Sequence, residues 1–146
     1  MPIQVISTGG PFLMAPVRGM AILKKLRCNR SLLRPLLERV GVDAVYLFCL
    51  EGFSQNANAF GRLLAPNSGM EVPFTGSAVG CMGAYLGNYK LFHGSVFKVE
   101  QDHLPGRPGT GTVEITRSNT DIEAVRVAES AVKTMAGHVL VDYRVG

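Results

Sequence analysis

PFTGSAVGCMGAYLG, running from Pro73 to Gly87, is the stretch whose reading decides the fold. It makes a turn that leads into a helix with no charged residue on any face. A helix apolar all round belongs inside a core rather than on a surface. Its start, Thr75-Gly76-Ser77, combines two hydroxyls with a residue that lets backbone or ligand approach closely. The first amide N–H groups of a helix have no intrahelical acceptor, and they sit at the positive end of its dipole. Thr75, Gly76 and Ser77 are therefore expected to bind an anion such as a carboxylate or phosphate.

The rest of the composition suits a core of that kind. The chain has 146 residues, 47% hydrophobic and 18% charged, which predicts one domain (1–146) with a real core and argues against disorder. No apolar run approaches the roughly 20 residues that span a bilayer, and MPIQVISTGG lacks the basic-then-apolar order of a secretory signal. A cytoplasmic protein is the expectation. Cys28, Cys49 and Cys81 are odd in number and lack CxxC spacing, so neither a disulfide framework nor a metal site is expected. Cys49 and Cys81 lie in apolar runs and read as buried thiols. The net charge of +4 fits an anionic small molecule. The one basic cluster, Lys24, Lys25, Arg27 and Arg30, reads as the solvated face of a short helix rather than a nucleic-acid surface.

Working outward, QVIST and FLMAPV read as strands around Gly9-Gly10-Pro11. Helical spacing follows over 19–26 and 31–40. In the second of these, Leu32, Leu33, Leu36 and Leu37 form an apolar face, Ser31 is the expected N-cap and Gly41 the stop. Pro35 is tolerated only near the first turn. AVYLFCL, 44–50, is continuously apolar, as a strand covered on both faces would be. Residues 56–64 are a weaker, more polar segment, followed by a loop at 65–69. Beyond the central helix, SVFKVEQ, GTVEITRS, 122–127 and HVLVDYRV from His138 read as strands, with the loop LPGRPGTG at 104–111. The expected class is α+β: a curved, mostly antiparallel sheet or barrel wrapped round the central apolar helix.

The segment GRLLAPNSGMEVPFTGSAVGCMGAYL resembles the signature of the phenazine-biosynthesis isomerase (PhzF-like) family, approximately R-x-F-A-P-x-x-G-x-x-E-D-P-A-T-G-S-A followed by a small-residue helix ending in Y-L. Arg62, Ala65, Pro66, Gly69, Glu71, Pro73, Thr75, Gly76, Ser77, Ala78, Tyr85 and Leu86 carry the match. EQDHLPGRPGTGTVEI is similar to the family element Q-G-x-x-x-G-R-P-S through Gln101, Gly106, Arg107 and Pro108, and STGGPFLMAPV resembles the opening of the family's second domain.

The resemblance implies a diaminopimelate-epimerase-like fold of two similar domains, each a barrel round a central helix, with the active site in the cleft between them. It implies cofactor-free isomerisation or epimerisation, with the substrate carboxylate at the helix N-termini and the general base supplied by the first domain. This chain resembles the second domain only. A separate chain carrying the first domain, or a second copy forming a homodimer, is then the expected partner beside a small carboxylate-bearing substrate, with no nucleic acid and no membrane. Val72 stands where the family has an aspartate, and an isopropyl group cannot move a proton. Asp102 replaces a glycine. Thr75 stands where related thiol-dependent racemases have cysteine, which disfavours a two-thiol mechanism.

Each site residue also has a plain structural reading. Thr75 and Ser77 are ordinary N-cap types. Glu71 is either a replacement catalytic acid or a loop carboxylate favoured by the dipole. Arg107 either grips a substrate anion bidentately or pins the Gly/Pro loop. His103 is a titrating candidate or an exposed loop histidine. Arg62 pairs with a carboxylate across the cleft or within the sheet. The competing functions are thus half of an isomerase, an inactive binding or self-associating module, and an orphaned product of marginal stability.

Overall fold

The computed structural model describes residues 1–68, 74–101 and 108–140. Seven strands lie in one sheet in sequence order: β1 (Gln4–Ser7), β2 (Pro11–Pro16), β3 (Val45–Cys49), β4 (Ala59–Leu64), β5 (Val96–Gln101), β6 (Gly109–Ser118) and β7 (Asp121–Glu129). Pairs β2–β3 and β4–β5 are parallel, and the other four neighbouring pairs are antiparallel. A parallel pair needs a crossover, and each crossover here is helical. Helices α1 (Met20–Lys25) and α2 (Arg30–Val40) join β2 to β3, and α3 (Gly76–Asn88) lies between β4 and β5.

The crossovers pack on opposite faces of the sheet. Tyr46, Phe48, Ala59 and Leu63 point to the α3 side, where they meet Val79, Met82, Tyr85 and Leu86. Val45 and Leu64 point to the other side, against Leu37 of α2. Phe60 packs there with Met20 and Leu23 of α1. Hence β3 is apolar at successive positions rather than alternating, because both of its faces are covered.

α3 is the buried helix the sequence predicts. It touches β1 and β2 at one edge of the sheet and β6 and β7 at the other, so the sheet curls around it. Gly76, Gly80, Gly83 and Gly87, spaced by four, three and four, lie on one side of α3. A Cβ at these positions would meet Val127, Val127 with Thr8, Val125 with Val113, and Ile122 respectively. The missing side chains let α3 lie directly on β6 and β7. At its far end, the Tyr85 hydroxyl donates to the Pro2 carbonyl at 2.7 Å, and Arg117 donates to the Gly87 carbonyl at 3.1 Å. β1 and β7 therefore run antiparallel to α3, which sends the β1–β2 turn and the end of β7 toward the helix start.

Several local expectations change. The α2 N-cap is Asn29, whose side chain accepts from the Leu32 amide at 3.3 Å, not Ser31. Gly41 ends α2 in the left-handed conformation, φ 71°, as expected. Pro35 sits beyond the first turn. The ladder bond it cannot make is lost, and Leu37, 2% exposed, anchors the half that follows. Of the expected apolar face, Leu37 and Leu33 pack inward, whereas Leu32 and Leu36 are exposed. The segment 56–64 is stronger than it reads: β4 is buried at every position. His138 to Leu140 form no strand, and residues 130–140 are exposed throughout. The remainder of HVLVDYRV lies outside the described residues.

Candidate functional site

The site is the open end of the curled sheet, at the start of α3. Thr75 is the N-cap, with φ −124° and ψ 89°, and its side chain makes no capping hydrogen bond. The Val79 amide donates to the Thr75 carbonyl at 2.9 Å, which begins the helical ladder. The amides of Gly76, Ser77 and Ala78 precede that first bond and have no acceptor among the described residues. Ser77 is exposed, while Thr75 and Gly76 are half-buried. All three residues expected to bind an anion thus stand together on one accessible turn.

The Thr75 hydroxyl is engaged elsewhere. Gln101, the last residue of β5 and fully buried, accepts the Thr75 backbone N–H at 3.3 Å. Its Nε2 donates back to Thr75 Oγ1 at 3.2 Å. Gln101 pairs with Gly109 across β5–β6, so the same clamp reaches the start of β6. Phe74, one residue before the N-cap, packs on Gly111, where an added Cβ would strike its ring. Opposite, the Thr8 hydroxyl lies 3.4 Å from Cys81 Sγ, and Cys81 contacts the Gly10 carbonyl at 3.6 Å. These contacts hold the β1–β2 turn against the first two turns of α3.

Beside Phe74 an open cavity of about 580 Å³ is bounded by Lys98, Thr110, Thr112, Glu129 and Ser130. Amide, hydroxyl and ammonium donors dominate the two adjoining sites. Donors of this kind are the groups an anion would need, and the Glu129 carboxylate stands on the same cavity wall. Among the described residues, no three His, Cys, Asp or Glu side chains come together as metal ligands.

Two expected site residues, Glu71 and Arg107, lie outside the described residues, as do Val72 and His103. Among the described residues, Arg62 serves the side of the sheet away from α3. Its guanidinium donates to the Leu23 and Leu26 carbonyls at 2.7 and 3.2 Å, closing the C-terminal end of α1. Arg62 points that way because it alternates with Gly61 and Leu63, which face α3. Glu51 closes the other end of α1 by accepting the Met20 amide at 2.7 Å. The basic cluster is exposed as expected, and Lys24 rests 4.9 Å from the centre of the Phe53 ring. Cys49 and Cys81 are buried and Cys28 is exposed, all three as free thiols. Burial pushes the Cys49 thiol above its ordinary range.

In the sequence, Gln101 stands out only as part of the Q-G-x-x-x-G-R-P likeness. One polar residue closing a strand carries no sign of its partner, and the contact with Thr75 spans 26 positions. The Thr8–Cys81 contact, 73 positions apart, is equally silent.

Residues 1–137 match the family model of phenazine biosynthesis-like proteins. An uncharacterised isomerase of Clostridium acetobutylicum is 30% identical over 145 residues, covering 96% of this chain and 48% of the relative. The uncharacterised isomerase YddE of Escherichia coli is 28% identical, covering 90% and 46%. Among solved structures, a protein of Pseudomonas aeruginosa described as a predicted epimerase is 27% identical, with a TM-score of 0.62 over 90% of this chain and 46% of its own. A PhzF-family phenazine biosynthesis protein of Bacillus anthracis has a TM-score of 0.69 at 22% identity, over 86% and 44%, a likeness of fold. The chain spans about half the length of the relatives it matches.

Proposed function

Because the chain belongs to the phenazine biosynthesis-like protein family, we propose that it is the second-domain half of a cofactor-independent isomerase or epimerase. Residues 1–146 then form one domain, and the family's first domain forms the other side of the cleft. The observation that supports this reading most is the uncapped start of α3, with Thr75, Gly76 and Ser77 on one accessible turn. A small carboxylate held there meets first-turn amides and the positive end of the helix dipole. Chemistry is proton abstraction α to an acidic or conjugated centre, with the developing negative charge stabilised by the same donors. The general base comes from the other domain. Arg107 adds a guanidinium to the anion, and Glu71 is the one candidate acid this chain contributes. Three free thiols fit a cytoplasmic setting.

A second reading, an inactive small-molecule-binding or self-associating module, is favoured by Val72 at the family's aspartate position. The purified chain is expected to bind acetate or a small dicarboxylate weakly and to catalyse little exchange of substrate protons with D₂O. Robust isomerase activity from this chain alone would overturn the proposal. Proton exchange that returns when Val72→Asp is combined with a co-expressed first domain favours the isomerase half. Continued silence with intact carboxylate binding favours the binding module. A neighbouring reading frame that encodes the first domain would point to the same isomerase half.

A further inference from the structure

We propose that Gln101 is a positioning residue that keeps Thr75 from capping α3 and turns its hydroxyl into a donor for a bound anion. The inference rests on the carboxylate reading of the α3 start. A threonine at an N-cap ordinarily turns its oxygen onto the N2 or N3 amide and satisfies it. Here Thr75 makes no such bond. Its backbone N–H can only donate, so the side-chain carbonyl oxygen of Gln101 must face it, at 3.3 Å. The amide nitrogen of Gln101 is then necessarily the group that meets Thr75 Oγ1, at 3.2 Å.

Two consequences follow from that orientation. The hydroxyl oxygen already accepts from Gln101, so its own proton is directed elsewhere as a donor. The Ser77 and Ala78 amides, which the oxygen would otherwise occupy, keep no acceptor among the described residues and are left to a ligand. Gln101 is fully buried and closes β5, so the clamp is held by the sheet rather than by a mobile loop. The Thr75 hydroxyl and the Ser77 and Ala78 amides then all have a proton to donate toward the same point, which suits a carboxylate or phosphate.

The test is an acetate titration of the 146-residue chain followed at the Gly76, Ser77 and Ala78 amides by NMR. Gln101→Met keeps the bulk and frees Thr75 to cap. Acetate affinity is expected to fall roughly five- to tenfold, the worth of one cap. Without acetate, the Ser77 or Ala78 amide proton should move downfield as it gains the hydroxyl. Thr75→Val removes the competing cap. The double variant is therefore expected to regain affinity, to within about twofold of Thr75→Val alone. A merely structural Gln101 predicts the opposite, a double variant weaker than either single one.

If Gln101→Met fails to fold, Gln101→Glu keeps the acceptor for Thr75 N–H but places a second oxygen against the hydroxyl, which must then donate inward. Acetate affinity should fall again, and an unchanged affinity overturns the proposal. Acetate binding in the wild type that survives Gln101→Met, or is not recovered in the double variant, overturns the role of Gln101 alone. No acetate response in the wild type overturns the carboxylate reading, and the inference with it.

Discussion

Adding one methyl group at Gly83 should measurably destabilise this domain, although alanine is the better helix former. A Cβ there would lie 2.7 Å from Val125 Cγ1 and 2.8 Å from Val113 Cγ1. Carbon atoms prefer about 3.5–4.0 Å, so each valine must yield by roughly an ångström. Neither yields easily. Both are stiff at χ1, and both belong to the paired strands β6 and β7, held to one another in register. Overpacking of this kind costs about 1–3 kcal/mol. Replacing glycine inside a helix returns about 0.5–1 kcal/mol. The net expectation for Gly83→Ala is a loss of about 1–2 kcal/mol, a fall in Tm of roughly 3–7 °C at this chain length. Gly76→Ala, where the nearest atom is 4.0 Å away, should be neutral or slightly stabilising. Thermal unfolding by circular dichroism, with urea titrations to check a constant m-value, reads both. In a double-mutant cycle, Val125→Ala should cost less in the Gly83→Ala background than alone, by about 0.5–2 kcal/mol. Gly83→Ala as stable as the wild type, or no coupling to Val125, would refute the contact between α3 and β6–β7.

Arg62→Met should lower stability by about 1–3 kcal/mol by leaving the Leu23 and Leu26 carbonyls without their donor. Acetate affinity should stay unchanged, because Arg62 serves the other face; a parallel loss of binding would contradict the placement. The Tyr46 hydroxyl is fully buried and has no hydrogen-bond partner among the described residues, so Tyr46→Phe is expected to be neutral or stabilising by up to about 1 kcal/mol in urea unfolding. Burial raises the pKa of Cys49, Tyr46 and Tyr85 above their ordinary values. Groups raised on folding hold their proton more tightly in the folded state. Their contribution is thus complete below the unfolded pKa and lost as pH rises toward the folded one. Stability should fall above about pH 9, first through Cys49 and then through the tyrosines. Urea midpoints equal at pH 8 and pH 10.5 would count against this. Thiol labelling under native conditions should modify Cys28 rapidly and leave Cys49 and Cys81 until the protein is denatured, read by intact mass.

Chemical character along the chain was enough to identify α3. A thirteen-residue helix without a charge on any face suits a core rather than a surface, and hydroxyl residues flanking a glycine suit a helix opening. β3 was legible for the same reason, since a continuous apolar run needs cover on both faces. The α2 cap is not legible in the sequence because Asn29 and Ser31 are both good cap types two residues apart, and the choice depends on where the chain enters from α1. β4 looked weak because Gly61 and Arg62 interrupt its apolar pattern. In the fold, Gly61 makes room for the Tyr46 ring and Arg62 closes α1.

The sequence by itself determined the class of fold, the buried helix, the hydroxyl-and-glycine opening at Thr75-Gly76-Ser77 and the likeness to the phenazine biosynthesis-like family. These depend on residue chemistry and local order, which are written along the chain. Only the tertiary structure decided that Arg62 belongs to the outer face and that the glycines of α3 rest on β6 and β7. It alone brought Gln101 to Thr75. Each of these is a contact between residues distant in sequence, made by strand pairing and by the side of the sheet on which a crossover packs. No local pattern encodes such a meeting, and so the opening of α3 could be read from the chain while the residue that holds it open could not.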